Sequence, residues 1–162
     1  MNAPTFLQAG PGGDDGRNQM AEIYIVGVDG TAQSRRAVDY AVERAKKSGA
    51  SLHLALVLEW SPFSFHTPEE LAERHKRREQ ELQRANDVLQ PLADELNKAG
   101  VKTTFETRHG HAADLLCKIA TDKNATQIII GRTGDSVIAQ RLLGGLAISL
   151  VQVAPVPVTI VP

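Results

Sequence analysis

Apolar positions along this chain follow two alternating periods. Ile23–Val28, Leu52–Leu58 and Gln127–Ile130 are short, β-branched runs with little polar alternation. Runs of that kind suit strands covered on both faces. Between them the period changes to that of a helix. Ala37, Val38, Ala41, Val42 and Ala45 form one stripe, with Thr31 or Ser34 as the cap and Gly49 as the stop. Pro68–Ala99 carries Leu71, Leu82, Ala85, Leu89, Leu92 and Leu96 at helical spacings, so it reads as one amphipathic helix, kinked at Pro91 and ended by Gly100.

The second half repeats the scheme. Val101–Arg108 alternates polar and apolar residues, the pattern of a half-exposed strand. A helix through Asp122 follows, burying Leu115, Leu116, Ile119 and Ala120. After Gln127–Ile130 comes a glycine-rich loop, then a helix over Leu146–Val153. Val156–Val161 closes the chain, and Pro155, Pro157 and Pro162 around it mark an edge strand. Strands and helices thus alternate, which predicts an α/β fold: an open, doubly wound, five-stranded parallel sheet with right-handed crossovers and helices on both faces. With no internal repeat or linker, residues 21–162 read as one domain. The first twenty residues, rich in Gly, Pro, Asp and Asn, read as a flexible leader.

Composition narrows the picture in three ways. Of 162 residues, 42% are hydrophobic but only 4% are aromatic, so the core is aliphatic. Trp60, Phe63 and Phe65 concentrate much of the aromatic surface just after the second strand, as a lid, a dimer contact or a loop anchor. Eighteen basic residues against 19 acidic ones give a net charge of −1, and nothing there points to nucleic acid. The alternating charges of Glu73–Glu81 read as the wet face of a helix. No run is long enough for a membrane span, no signal-peptide pattern opens the chain, and Cys117 stands alone, so the expectation is a cytoplasmic protein.

Candidate chemistry gathers where the strands end. In open α/β sheets, ligands bind beyond the carboxyl ends of the strands. Asp29 follows the first strand, His109-Gly110-His111 the third and the glycine loop the fourth. That loop reads Gly131-Arg132-Thr133-Gly134, nine further residues, then Gly144-Gly145 before a helix. Its glycines let backbone N–H groups converge on an anion, the helix start adds a favourable dipole, and Arg132 or Arg141 supplies charge. It is neither a Walker loop nor a GxGxxG fingerprint. His53, inside a strand, reads as a core or sheet-face histidine, Cys117 as a packed thiol, and His109 and His111 as a helix-capping loop rather than a metal site. No catalytic constellation and no metal site are expected.

Ile25-Val26-Gly27-Val28-Asp29-Gly30-Thr31, with Ser34 and Ala37 beyond, resembles the opening of universal stress proteins. The Gly-2x-Gly-9x-Gly spacing at Gly131, Gly134 and Gly144 resembles the motif of that family's ATP-binding branch, and Ala154–Val161 resembles its last strand. The resemblance implies the adenine-nucleotide α-hydrolase-like fold with strands ordered 3-2-1-4-5. It implies a stress-response regulator that binds an adenine nucleotide and is no enzyme, at most a slow ATPase. The implied binding set is Val28, Asp29, Gly30, Thr31, Val57, Gly131, Arg132, Gly134, Gly144, Gly145 and Leu146, in which Asp29 and the main chain around Val57 hold the adenosine part. Gly131 lies near the ribose, and Gly134, Gly144 and Gly145 lie near the phosphates. It also implies a homodimer through Val156–Val161. Gly145 stands where the family's motif has Ser or Thr, and Asp135 adds negative charge beside the proposed phosphates. These departures leave ATP, ADP and AMP open, with any Mg²⁺ carried by the phosphates. They also motivate a second reading, a dimeric interaction module of the branch that binds no nucleotide.

Overall fold

A computed structural model describes residues 21–59, 67–132 and 145–162. The leader and the aromatic residues Trp60, Phe63 and Phe65 lie outside these described residues, as do Thr133, Gly134, Asp135, Arg141 and Gly144. The element order is β1 (Ile23–Gly27), α1 (Ala32–Ser48), β2 (Ser51–Leu58), α2 (Pro68–Lys98), β3 (Thr103–His109), α3 (Ala112–Asp122), β4 (Gln127–Gly131), α4 (Gly145–Val153) and β5 (Val158–Val161). All strand pairs are parallel, and the sheet order is β3-β2-β1-β4-β5. The α/β class and the strand order are those expected.

Side-chain parity divides the core in two. Val26, Leu52, Leu54, Leu56 and Ile129 pack under α1 and α2 with Ala37, Val38, Ala41, Ala85 and Leu89. Ile25, Ala55, Ile128 and Ile130 pack under α3 and α4 with Ala113, Leu116, Ile119, Ala147 and Leu150. The alanine stripe brings α1 close to the sheet: Ala37, Ala41 and Ala45 are all buried. Aliphatic side chains fill both layers, which is why so few rings suffice. Among the described residues no helix is long and apolar enough to cross a membrane.

Boundaries differ from expectation for local reasons. β3 starts at Thr103 because the Val101 N–H turns back to the Leu96 carbonyl, holding Val101 against the end of α2. β5 starts at Val158 because Pro155 and Pro157 have no N–H for the ladder. α2 runs through Pro91 as one helix of 31 residues, opened by a capping box between Thr67 and Glu70. Leu71 is exposed rather than buried, since the first turns of α2 extend past the part buried at Ala85, Leu89, Ala93 and Leu96. Val42 and Leu115 are half-buried, at the margins of their stripes, while Ala113 is buried beneath α3.

β3 is an edge strand, covered by α2 on one face only. On the open face lies a polar group. His53 of β2 is buried, with Nδ1 2.7 Å from Thr104 Oγ1 and Nε2 2.8 Å from Glu106 Oε1. Arg108 Nε stands 2.5 Å from Glu106 Oε2, and Lys123 Nζ 4.0 Å from Glu106 Oε1. Burial chiefly pushes the His53 pKa down, outweighing the hydrogen bond to Glu106. Burial would raise Glu106, but its bonds to His53 and Arg108 win and hold it below the usual carboxylate range. His53 is thus the sheet-face histidine expected.

Two outcomes follow. Leu89→Ala, at a fully buried site, lowers unfolding free energy by about 2–5 kcal/mol in urea titration, whereas Leu71→Ala changes it by less than about 0.5 kcal/mol. His53 binds its proton more weakly folded than unfolded. Its contribution is therefore complete above the unfolded pKa of about 6.5 and is lost as pH falls from there towards the lowered folded value. Urea midpoints fall between about pH 7 and pH 5.5, a window in which Glu106 stays ionised, and His53→Gln flattens that slope.

Candidate functional site

The carboxyl edge of the sheet is built around the first βα turn. The Val28 N–H donates to the Ala55 carbonyl at 2.9 Å, extending β1 beside β2 up to Asp29. Asp29 Oδ1 accepts from the Thr31 N–H at 2.9 Å and from the Thr31 hydroxyl at 2.6 Å. Thr31 Oγ1 in turn accepts from the Ser34 N–H at 3.2 Å, which makes Thr31, of the two expected candidates, the N-cap of α1. Gly30, at φ +81°, makes the bend between them, a conformation that costs a residue with a Cβ. Asp29 is exposed and keeps its second carboxylate oxygen outside this turn. Val57 is half-buried near the end of β2, beyond the Gly27–Ala55 register.

Gly131 ends β4 against the first turn of α1. A Cβ there would stand 2.9 Å from the backbone carbon and oxygen of Gln33, so only glycine fits. That contact brings the start of the glycine loop beside the Asp29 turn. The Arg132 N–H donates to the Val161 carbonyl at 2.8 Å, and the exposed Arg132 side chain begins just past the strand ends.

Gly145 and Leu146 open α4, whose first turn holds no acidic residue. A helix start of this kind carries partial positive charge, which favours an anion. These two residues line a cavity of about 320 Å³ with Glu59, His111, Ala112, Ala113 and Ser149. The helix starts of α3 and α4 thus meet at one opening. Of the expected set, Val28, Asp29, Gly30, Thr31, Val57, Gly131 and Arg132 lie along one edge, and Gly145 and Leu146 line the cavity there. Gly134 and Gly144 fall outside the described residues. Glu59, Ala112, Ala113 and Ser149 were not anticipated. Ser149 alone carried a signal, four residues after Gly145 on the same helical face.

His109 and His111 have separate partners. His109 Nε2 is 3.8 Å from Glu81 Oε2 of α2, whereas His111 Nδ1 is 3.3 Å from Asp114 Oδ2 of α3. His111 occupies the N-cap position of α3 but makes no side-chain cap bond. No group of three or more metal-type ligands occurs among the described residues. Cys117 is half-buried, and its thiol is pushed up first by burial and then by Asp114, so little thiolate forms at neutral pH.

This sheet order, with its carboxyl-edge opening, defines a doubly wound α/β protein of the ligand-binding kind. Residues 20–162 match the universal stress protein family, and the chain belongs to it. It is 29% identical over 154 residues to a universal stress protein of Methanocaldococcus jannaschii, covering 91% of this chain and 85% of that protein. It shares the fold of the universal stress protein UspA from Lactobacillus plantarum, with a TM-score of 0.76 at 20% identity over 87% of this chain and 97% of that one. A universal stress protein crystallised in complex with cAMP is 26% identical, with a TM-score of 0.58 and coverage of 87% and 97%.

Replacing Gly131 by Ala sets a methyl group against immovable backbone. The expected cost is about 1–3 kcal/mol of unfolding free energy by chemical denaturation. Thr31→Ala, which removes the cap, costs about 1 kcal/mol in the same measurement.

Proposed function

We propose that this protein is a stress-response regulator that binds an adenine nucleotide, ATP foremost, at the carboxyl edge of the sheet, and that it works as a homodimer. The observation that carries the reading is the close approach of Gly131 to Gln33. It sets Gly131, where the glycine loop begins, against the first turn of α1 next to the Asp29 turn. The second oxygen of Asp29 and the main chain about Val57 would hold the adenosine part. Gly131 would lie along the ribose, with Gly134, Gly144 and Gly145 at the phosphates and Arg132 supplying charge to them. The cAMP complex of a relative supports an adenine nucleotide as the ligand class.

Gly145 brings no hydroxyl to the phosphates, but Ser149 lines the same cavity one turn further on. Glu59 lines it too, and its carboxylate repels phosphate unless a cation stands between them. Mg²⁺ carried by the nucleotide meets that need, so Glu59 favours the Mg²⁺ complex. The second protomer would pair through Val156–Val161 at the free edge of β5.

A second reading, an interaction module that binds no nucleotide, draws on the exposed Ile148, Val151 and Val153 of α4. Calorimetric titration with ATP, ADP, AMP and cAMP, with and without Mg²⁺, separates the two. The first reading expects saturable heat, strengthened by Mg²⁺ for ATP, and a loss of about tenfold or more in Asp29→Asn, which keeps the turn. No heat at millimolar nucleotide leaves only the second reading.

A further inference from the structure

The amino ends of the strands, opposite the nucleotide edge, carry an unassigned cavity. It encloses about 240 Å³ beside the starts of β1, β2 and β3. Its polar wall is Ser51, His53, Lys102, Thr104 and Lys123, and Ile23 and Leu52 complete it. Two lysines, a serine, a threonine and a histidine thus line this space, and no acidic residue does. The nearest acid, Glu106, is held by His53, Arg108 and, at 4.0 Å, Lys123. Arg108 and Lys123 therefore flank one engaged carboxylate, at the margin of the sheet face where the cover of α3 ends.

We propose that this cavity binds a small oxyanion, a phosphate or carboxylate group held by Lys102, Lys123 and the Thr104 hydroxyl, and that His53 couples its binding to proton uptake. The coupling follows from the hydrogen-bond chain. Glu106 is ionised and can only accept, so Nε2 of His53 carries a hydrogen. In neutral His53, Nδ1 is then a bare acceptor and takes the Thr104 O–H. Thr104 presents only lone pairs to the cavity in that state, which disfavours an anion. When His53 gains a proton, Nδ1–H donates to Thr104 Oγ1 instead. The hydroxyl hydrogen is released and turns to the anion.

Every charged group facing His53 bears on this exchange. Burial, Lys123 and Arg108 oppose the proton, and Glu106 favours it. An anion placed beside Lys123 offsets the opposing charges, so anion and proton assist each other. By linkage, affinity for the anion rises as pH falls. The site requires neither the nucleotide nor the residues of the carboxyl edge.

Sulfate is the suitable probe, because its charge does not change near neutral pH. It is titrated into the full chain while the His53 imidazole and the Thr104 amide are followed by NMR. The expected result is a saturable shift at both, with about tenfold tighter binding at pH 6 than at pH 7.5, while the Asp29–Thr31 amides stay still. Lys102→Met and Lys123→Met each weaken binding about tenfold. Since His53 is buried, Thr104→Val serves as the coupling variant: it keeps the lysines and shape but abolishes the pH dependence. Methyl phosphate and acetate, compared at pH 7.5, tell phosphate from carboxylate preference. The proposal is overturned by the absence of a saturable shift at about 100 mM sulfate. It is equally overturned by shifts indifferent to both lysine variants, or by a Thr104→Val protein that keeps the full pH dependence.

Discussion

The central strands β1 and β4 are buried on both faces, and the rest of the molecule is arranged to satisfy that condition. Tyr24, Ile25 and Val26 in one, and Ile128, Ile129 and Ile130 in the other, send consecutive side chains to opposite layers. Each layer must therefore be roofed by a helix with an apolar stripe. Parallel pairing supplies those helices as crossovers, two to each side. Burial of this kind forbids polar chemistry in the strands themselves and moves it to their ends. At the carboxyl edge the chain leaves the sheet through the Asp29 turn and through Gly131, and the α4 start returns it. The candidate nucleotide site is thus a consequence of how two-faced strands must be connected.

The same condition relaxes at the edge of the sheet. Only one face of β3 is roofed, so Thr103, Phe105 and Thr107 serve the α2 side while Thr104, Glu106 and Arg108 face outward. His53 sits one strand further in, where the roof ends. It is too deep for water to satisfy its ring nitrogens and close enough to the edge for β3 to do so. Its neutral state follows from burial, and its orientation from Glu106. Both ends of the sheet carry polar groups, but for different reasons. One end has loops and helix starts, and the other has an incomplete roof.

Most of the fold was legible because its signals are local. The β-branched runs, the stripe of α1, the Leu89 and Leu96 spacing of α2 and the proline-flanked last strand each follow from a few neighbouring residues. The places where burial departed from the pattern are those where a helix outruns its sheet. Leu71 has the right spacing, but nothing lies beneath it. The candidate site was legible to the extent that its residues share a motif. Asp29, Gly131 and Gly145 were visible as such, and Ser149 followed weakly from helical spacing. Glu59, Ala112 and Ala113 were not, since they meet the α4 start only because two crossovers end side by side.

By itself the sequence determined the α/β class, the strand and helix count, the aliphatic core and the membership of a family, since periodicity, turn residues and spaced glycines are properties of contiguous chain. Tertiary structure alone decided which residues from distant segments share a surface. It set Gly131 against Gln33, gave His53 the partners Thr104 and Glu106, and brought Lys102 and Lys123 to one cavity. The physical reason is register: side-chain partners across parallel strands depend on how far each crossover carries the chain, and no local pattern encodes that distance.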